Sequence, residues 1–218
     1  PCNNDHVITD INSWHAYLPG YAWFDHLKEI SEQTHPGSDW NFVDGRQQGH
    51  QPNFNSECGN VWGYKGSTGD VDWSWDYHLM MNAFRQHPKI CGWLYTEHHD
   101  VINEWNGYYR YDRSEKITGM SELAPGMTLN DLHSLFYISP GDKMCQNAAP
   151  GEIIMLPIYA SFLTSQSVAH YLKLQVELHG WDVLGNHHSF SQFSQFIPFR
   201  SWFSGEIEPL AIQMPDQP

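Results

Sequence analysis

The feature that most restricts the fold is an alternation of strand-like and helix-like segments in the first half of the chain. Residues 6–15, 53–57 and 90–95 have the composition of short strands. Between them, apolar residues recur at helical spacing in 21–31 and again in 72–86. The order strand–helix–strand–helix–strand is typical of parallel βα units. We therefore predict an α/β region with a parallel sheet over residues 1–120.

The second half of the chain has a different period. Apolar and polar residues alternate strictly over 172–179, and 153–162 and 207–214 are also strand-like. Strict alternation indicates an antiparallel strand with one buried face. We predict an antiparallel, immunoglobulin-like β-sandwich over 125–218, separated by a short linker from the domain at 1–120. The residues expected to face its core are Leu172, Leu174, Val176 and Leu178.

The length of the first domain suggests that it is part of something larger. A complete (β/α)8 barrel takes about 250 residues, and three βα units alone leave open sheet edges. We therefore expect a partial (β/α)8 barrel whose other strands come from an N-terminal part of the polypeptide outside this sequence; a smaller α/β fold is the alternative. The start at Pro1, without an initiator Met or a signal peptide, agrees with this expectation.

The charge and composition of the chain limit the classes of partner that it is expected to bind. The formal net charge is -14, and the sequence has no Lys or Arg cluster of the kind that binds nucleic acid or anionic membranes. It has no apolar run near the roughly 20 residues that span a bilayer. Aromatic residues make up 15% of the chain, including ten Trp. This composition suits a protein that stacks rings on sugars, although a Trp-rich core explains some of it.

The cysteines and histidines show no metal-binding motif. The four cysteines, Cys2, Cys58, Cys91 and Cys145, form no Cys-x-x-Cys pair. We predict buried free thiols, with disulfides as the alternative. The adjacent pairs 98–99 and 187–188 place histidines on opposite faces of a strand, and there is no His-Glu-x-x-His motif. We predict no cofactor, and the alternative is a cation held by Glu97, His98 and Asp100.

Each of the three strand-like runs in the first half ends in polar and aromatic residues. Catalytic groups of (β/α)8 enzymes collect at the C-terminal ends of the strands. Glu57 ends the second run just before Gly59, and we predict that it is the catalytic residue. The predicted substrate-binding residues are Asp10, Asn12, Trp14, His15, Trp62, Trp93, Tyr95, Glu97 and His98.

With these motifs in place, the chain resembles glycoside hydrolase family 2, the group of β-galactosidases, β-glucuronidases and β-mannosidases. The matching segments are Pro52 through Ser56-Glu57-Cys58-Gly59 for strand seven, Cys91-Gly92-Trp93-Leu94-Tyr95 for strand eight, Asn12-Ser13-Trp14 for strand six, and residues 106–116 after the barrel. Cys58, Tyr95 and Trp14 depart from the family pattern. The resemblance implies that residues 1–120 are strands six to eight of the barrel and that a β-sandwich follows.

The resemblance also implies a retaining β-glycosidase with Glu57 as the nucleophile and Tyr95 at the sugar-stacking position. The family's acid/base Glu ends strand four, which would lie outside this chain; Asn103-Glu104 repeats its Asn-Glu dipeptide but follows strand eight. The expected partners are a carbohydrate substrate and the rest of the barrel. The alternatives are a non-catalytic carbohydrate-binding protein with Trp and Tyr platforms and a metal-dependent hydrolase that uses the His, Glu and Asp cluster.

Overall fold

The computed structural model describes residues 4–59, 73–102, 104–143, 145–166 and 170–216. The chain divides into two compact units, Pro1–Ser134 and Leu135–Pro218. The sequence analysis placed the start of the second domain ten residues earlier, at 125. The difference arises because two short helices, α3 (Met120–Leu123) and α4 (Leu129–Leu132), belong to the first unit. No helix in the described part of the chain is long and apolar enough to cross a bilayer.

The first unit contains the parallel sheet that the sequence predicted. Its strands are β1 (Asn12–Tyr17), β2 (Asn53–Gly59) and β3 (Ile90–Tyr95), in the order β1-β2-β3 with both pairs parallel. The connections carry α1 (Ala22–Gln33) and α2 (His78–Phe84). Parallel strands need such crossovers because each strand must start again at the same edge of the sheet. Three strands do not by themselves show a (β/α)8 barrel.

The helices pack the residues that gave the helical period. Trp23, Leu27 and Ile30 of α1 are buried, as their spacing predicted. The segment predicted as one helix over 72–86 instead begins with a π-helical turn, Trp73–Tyr77, and continues as α2. The rings of Trp23 and Trp73 are both buried, so packing in the core accounts for much of the Trp content of this unit.

The first strand differs from its predicted position. Residues 6–11 are not part of β1, and Ile8 is 83% exposed. The imidazole of His6 accepts a hydrogen bond from the backbone N–H of Ser13, which holds this segment beside the strand. β1 also ends at Tyr17 and not at His15, so its C-terminal tip carries a different side chain from the one expected.

The second unit is antiparallel. β4 (Phe136–Pro140), β5 (Ile153–Phe162) and β8 (Phe203–Gln213) form one sheet in the order β4-β5-β8. β6 (Tyr171–Trp181) and β7 (His187–Pro198) form a two-stranded ribbon. The arrangement is compatible with a β-sandwich, and its immunoglobulin-like topology stays a prediction.

The predicted alternation in β6 is confirmed. Every second residue of β6 is partly buried, beginning with Leu172, and the residues between them are exposed. Leu172 and Leu174 pack against a core formed by Ala160, Phe162 and Ile197. One-sided burial therefore selects the face that the sequence pattern indicated.

The prediction of buried thiols is correct for one cysteine only. Cys58 is buried in β2, and its thiol donates to the backbone oxygen of Leu94 at 3.3 Å. Cys91 and Cys145 are free but exposed, which corrects the expectation. Cys2 lies outside the described residues.

Candidate functional site

Glu57 is held at the C-terminal edge of the parallel sheet by two side chains from the neighbouring strand. The Tyr17 hydroxyl donates to Glu57 Oε1, and His15 Nδ1 lies 2.8 Å from Glu57 Oε2. The β1–β2 register pairs His15 directly with Glu57. The side chain of Glu57 keeps 32% of its surface exposed, so the carboxylate is oriented by the protein and still open to solvent.

A local irregularity in the strands aims these side chains. In the β1–β2 register, Trp14 pairs with Asn55 but His15 pairs with Glu57, so Ser56 is an extra residue in β2. Irregularities of this kind are common beside active sites, because they re-aim a side chain without ending the sheet. Gly59 then leaves room for Tyr17, since a Cβ at Gly59 would lie 2.9 Å from the Tyr17 ring.

The Tyr17 hydroxyl is protonated at neutral pH and acts as a hydrogen-bond donor. Burial raises its pKa well above the usual value, and the hydrogen bond to Glu57 and the charges of Glu57 and Glu104 raise it further. The Thr96 side chain opposes this shift through its own hydrogen bond to Tyr17. The phenol therefore stays protonated and keeps its hydrogen bond to Glu57 Oε1.

Glu97, in the loop after β3, is a carboxyl group on which the charge of Glu57 acts. Burial raises its pKa, and the charges of Glu104, Asp100 and Glu57 add to the effect, while Lys116 opposes it. Its Oε1 atom is buried and has no hydrogen-bond partner among the described residues. Glu97 therefore holds its proton to a higher pH than an ordinary glutamate does.

The loop that carries Glu97 is anchored by a buried ion pair. Lys116 Nζ lies 2.7 Å from Asp100 Oδ1, and the two side chains are only 1% and 3% exposed. Asp100 Oδ1 also accepts from the Gly107 N–H at 2.9 Å, and Lys116 donates to the Trp105 carbonyl at 2.9 Å. Position 107 requires glycine, because a Cβ there would lie 2.2 Å from the Asp100 nitrogen. This closed set of bonds fixes the loop beside β2.

The prediction that Tyr95 is a sugar-stacking platform needs correction. The Tyr95 ring contacts Trp73, Tyr77 and Tyr108 at centroid distances of 5.6, 5.0 and 4.8 Å, and its hydroxyl donates to the Asn106 carbonyl at 2.5 Å. Burial raises the pKa of Tyr95 and raises that of Tyr108 to about 12. Tyr95 thus belongs to an internal aromatic cluster.

Thr96 follows Tyr95 and contributes to the site from the end of β3, because its side chain forms a hydrogen bond with Tyr17. Successive side chains of an extended chain point to opposite faces, so an error of one residue exchanges the two faces. The sequence prediction therefore selected the correct strand end but the wrong face.

Asn12, one of the predicted substrate-binding residues, is hydrogen-bonded elsewhere in the fold. It is the first residue of β1 and pairs with Asn53, three residues before His15, a separation of about 10 Å along a strand. Its side chain is fully buried and donates to Gln48 Oε1 at 3.2 Å. Asn12 therefore lies toward the opposite edge of the sheet and holds the 35–51 loop.

Trp14 and Trp93 also pack within the fold. Trp14 is buried, and its ring meets Trp40 edge-on at 5.9 Å. Trp93 stacks on Phe84 at 5.1 Å, with the Arg85 guanidinium 5.4 Å from its ring. The prediction is corrected for Trp14, whose ring is buried, and substrate binding by the partly buried Trp93 stays a prediction.

The other predicted residues have varied positions. Asp10 is exposed in the bend before β1. His98 is exposed and lies against the Tyr109 ring at 5.3 Å, beside a cavity of about 640 Å³. Trp62 lies outside the described residues. No described group of three His, Cys, Asp or Glu side chains is placed to hold a metal ion, so the Glu97, His98 and Asp100 alternative finds no such cluster.

Of the predicted residues, the structure therefore places His15 against Glu57, and the charge of Glu57 also acts on Glu97. Sequence analysis missed Tyr17 and Thr96. Tyr17 was detectable in principle, because it follows His15 by two residues and a strand places such residues on one face. Finding it required the end of β1, which the sequence pattern placed two residues too early.

The chain matches no protein-family model, and no curated protein is significantly similar to it. Any function proposed for this protein therefore rests on the chemistry of its own residues. On the strands and the loop that carry His15, Glu57 and Glu97, some buried polar atoms have no hydrogen-bond partner among the described residues. These atoms include His15 Nε2, both amide atoms of Asn55 and Glu97 Oε1.

Proposed function

We propose that the protein is a retaining β-glycoside hydrolase in which Glu57 is the nucleophile. The observation that carries the proposal is the geometry of its carboxylate, with one oxygen bonded to Tyr17 and the other to His15 at the C-terminal edge of a parallel sheet. A nucleophilic carboxylate must remain ionised and must be oriented, and two donors on its two oxygens serve both needs.

The reaction has two balanced steps. Glu57 attacks the anomeric carbon while a carboxylic acid gives its proton to the departing glycosidic oxygen, so that a glycosyl ester forms as the glycosidic bond breaks. Water then attacks the anomeric carbon of this ester and gives its proton to the carboxylate that acted as the acid. The bond between the sugar and Glu57 breaks, and Glu57 is released. The second carboxyl must lie about 5–5.5 Å from Glu57 in a retaining enzyme.

The resemblance to glycoside hydrolase family 2 assigns the proton donor to an Asn-Glu pair on a strand that this chain does not supply. We place the present sheet as strands six to eight of a (β/α)8 barrel, followed by an immunoglobulin-like domain. The remaining strands and the proton donor then come from another part of the polypeptide. Among the described carboxyl groups, Glu97 fits the role of proton donor best, because the charge of Glu57 acts on it and its pKa is raised.

The test is a Glu57→Gln variant of the polypeptide that carries this chain, assayed on chromogenic β-glycosides. The amide keeps the shape but cannot form the ester, so turnover should fall by about a thousandfold or more, while sugar binding stays nearly unchanged. A 2-deoxy-2-fluoroglycoside should label Glu57, detected by mass spectrometry of the modified peptide. Glu122→Gln, an exposed acid in α3, is the matched control.

Two results would contradict this scheme. Hydrolysis at the unmodified rate by Glu57→Gln would refute the nucleophile. We expect little or no activity from the 218-residue chain alone, and fast hydrolysis by it would move the acid role to Glu97, Asp10 or Glu104.

The second candidate is a carbohydrate-binding protein without catalysis. The observation that favours it is the cavity of about 640 Å³ beside His98, which Tyr108, Tyr109, Asn130 and His133 also line. Aromatic rings and neutral hydrogen-bonding groups are the usual components of a sugar site. Glycan binding by the complete protein, combined with no hydrolysis and no labelling of Glu57, would favour this candidate over the enzyme.

A further inference from the structure

Two imidazoles face each other at the tip of the β6–β7 ribbon, in the second unit. His179 lies near the end of β6 and His187 begins β7. His187 Nε2 is 3.2 Å from His179 Nδ1, and both residues are exposed. The pair is accessible to a solute and is independent of the Glu57 site.

The distance between these nitrogens matches shared coordination of one ion. Zinc–imidazole bonds are about 2.0–2.1 Å long. Two such bonds to nitrogens that are 3.2 Å apart enclose an angle of about 100°. This value lies between square-planar and tetrahedral angles, so the separation of the two nitrogens suits one shared ion once the rings turn their lone pairs toward it.

The strand pairing holds the two rings in place. His187 pairs with Trp181, whose ring contacts His187 at 5.3 Å and His179 at 6.0 Å. Asp182 closes the turn, since its carboxylate accepts from the Asn186 N–H at 2.9 Å. An ion therefore meets two ligands whose positions the hairpin already restricts, which lowers the entropy cost of binding.

We propose that His179 and His187 form a binding site for a late first-row divalent transition metal, such as Cu²⁺, Ni²⁺ or Zn²⁺. Imidazole suits these ions, and affinity within the series is highest for Cu²⁺. The described residues offer no third His, Cys, Asp or Glu at this place, so water fills the other positions. Each neutral ring keeps one N–H on its distal nitrogen, so binding to two neutral rings needs one tautomer change and no net proton release.

The neighbouring histidine provides an internal control. His188 points away from the pair, and its Nε2 lies 3.0 Å from Asp182 Oδ2. This agrees with the sequence prediction that adjacent histidines on a strand face opposite sides. A metal held by His179 and His187 should therefore be insensitive to substitution of His188.

The test is titration of the 218-residue chain with CuCl2, followed by Trp fluorescence and by electron paramagnetic resonance. The unmodified chain should show a saturable site with two nitrogen ligands and quenching of Trp181. His179→Gln and His187→Gln should each weaken it by about tenfold or more, whereas His188→Gln should not. Trp181→Phe should keep the affinity and lose part of the quenching.

The double variant His179→Gln/His187→Gln measures copper bound elsewhere on the chain. Equal copper affinity in this variant and the unmodified chain would overturn the proposal. A rise in melting temperature with ZnCl2 that disappears in His187→Gln would support it independently, because a ligand that binds only the folded state stabilises that state.

Discussion

The two units of this protein treat buried polar groups differently. In the described part of the second unit, Ser139 Oγ is the only buried side-chain polar atom without a hydrogen-bond partner. In the first unit such atoms occur on several residues, including Trp14, His15, Asn55 and Glu97. The contrast follows the sheets, since the second unit has one-sided strands over an apolar core and the first has polar residues buried along its parallel strands.

The difference bears on the proposal that the first unit holds the site. An unsatisfied buried donor or acceptor costs about 1–3 kcal/mol, so a fold that keeps several together gives up stability at that place. Such a cost is common where a substrate completes the hydrogen bonds. The comparison therefore agrees with the proposed site in the first unit and with an apolar core in the second, and substitutions in each can test this division.

The largest effect on stability is expected from Lys116→Met in the first unit. The change leaves the Asp100 carboxylate buried without its cation, which costs about 3–5 kcal/mol. Urea unfolding should show the loss, and hydrogen exchange should accelerate within residues 1–134 while β5 keeps its protection. Lys173→Met, on the exposed side of β6, is the control. Equal stability of the two variants would show that the buried pair does not support this unit.

Phe162→Ala should destabilise the second unit and leave the first unit unchanged. Phe162 is fully buried, and removing its ring should cost about 3 kcal/mol, at the lower end for such changes because neighbouring aromatic rings can close around the space. Hydrogen exchange should accelerate in β4, β5 and β8, while the contacts of Glu57 stay intact. If this variant lost the proposed activity of Glu57 at a temperature at which it is folded, the division of roles between the two units would be contradicted.

Tyr17→Phe should separate catalysis from stability and rests on the proposed glycosidase activity. It removes a hydrogen bond to a charged group, worth about 1.5–3 kcal/mol, so kcat should fall by about 10- to 100-fold. The phenyl ring still fills the space against Gly59, so the loss of unfolding free energy should be limited to this one hydrogen bond. Tyr21→Phe, an exposed tyrosine, is the comparison. An unchanged kcat in Tyr17→Phe would remove this residue from the site.

The smallest effect is expected from Glu97→Gln and appears in the pH dependence of stability. The folded protein raises the pKa of Glu97 above its ordinary value of 4.5, so the folded state binds its proton more tightly than the unfolded state does. Stability from this group is therefore present at low pH and is lost as the pH rises through the raised pKa. The variant should lose less stability between acid and neutral pH. A parallel pH profile for both proteins would contradict the raised pKa.

Much of the fold was predictable because it depends on local periods. Helical spacing located α1, and alternation located β6 with its buried face. The strand β3 begins and ends where the apolar run does. The errors lie at polar segment ends, where residues 6–11 were assigned to a strand that begins at Asn12. A hydrogen bond between His6 and Ser13, seven residues apart, decided that boundary.

By itself, the sequence determined the parallel order of the first unit, the one-sided strand of the second and the placement of Glu57 at a strand end. These properties follow from the side-chain period and from chain order. Only the tertiary structure decided which side chains meet: Tyr17 and His15 with Glu57, Thr96 in place of Tyr95, and His179 with His187. The reason is that contacts across strands depend on register, and a shift of one residue exchanges the two faces of a strand while leaving the local pattern unchanged.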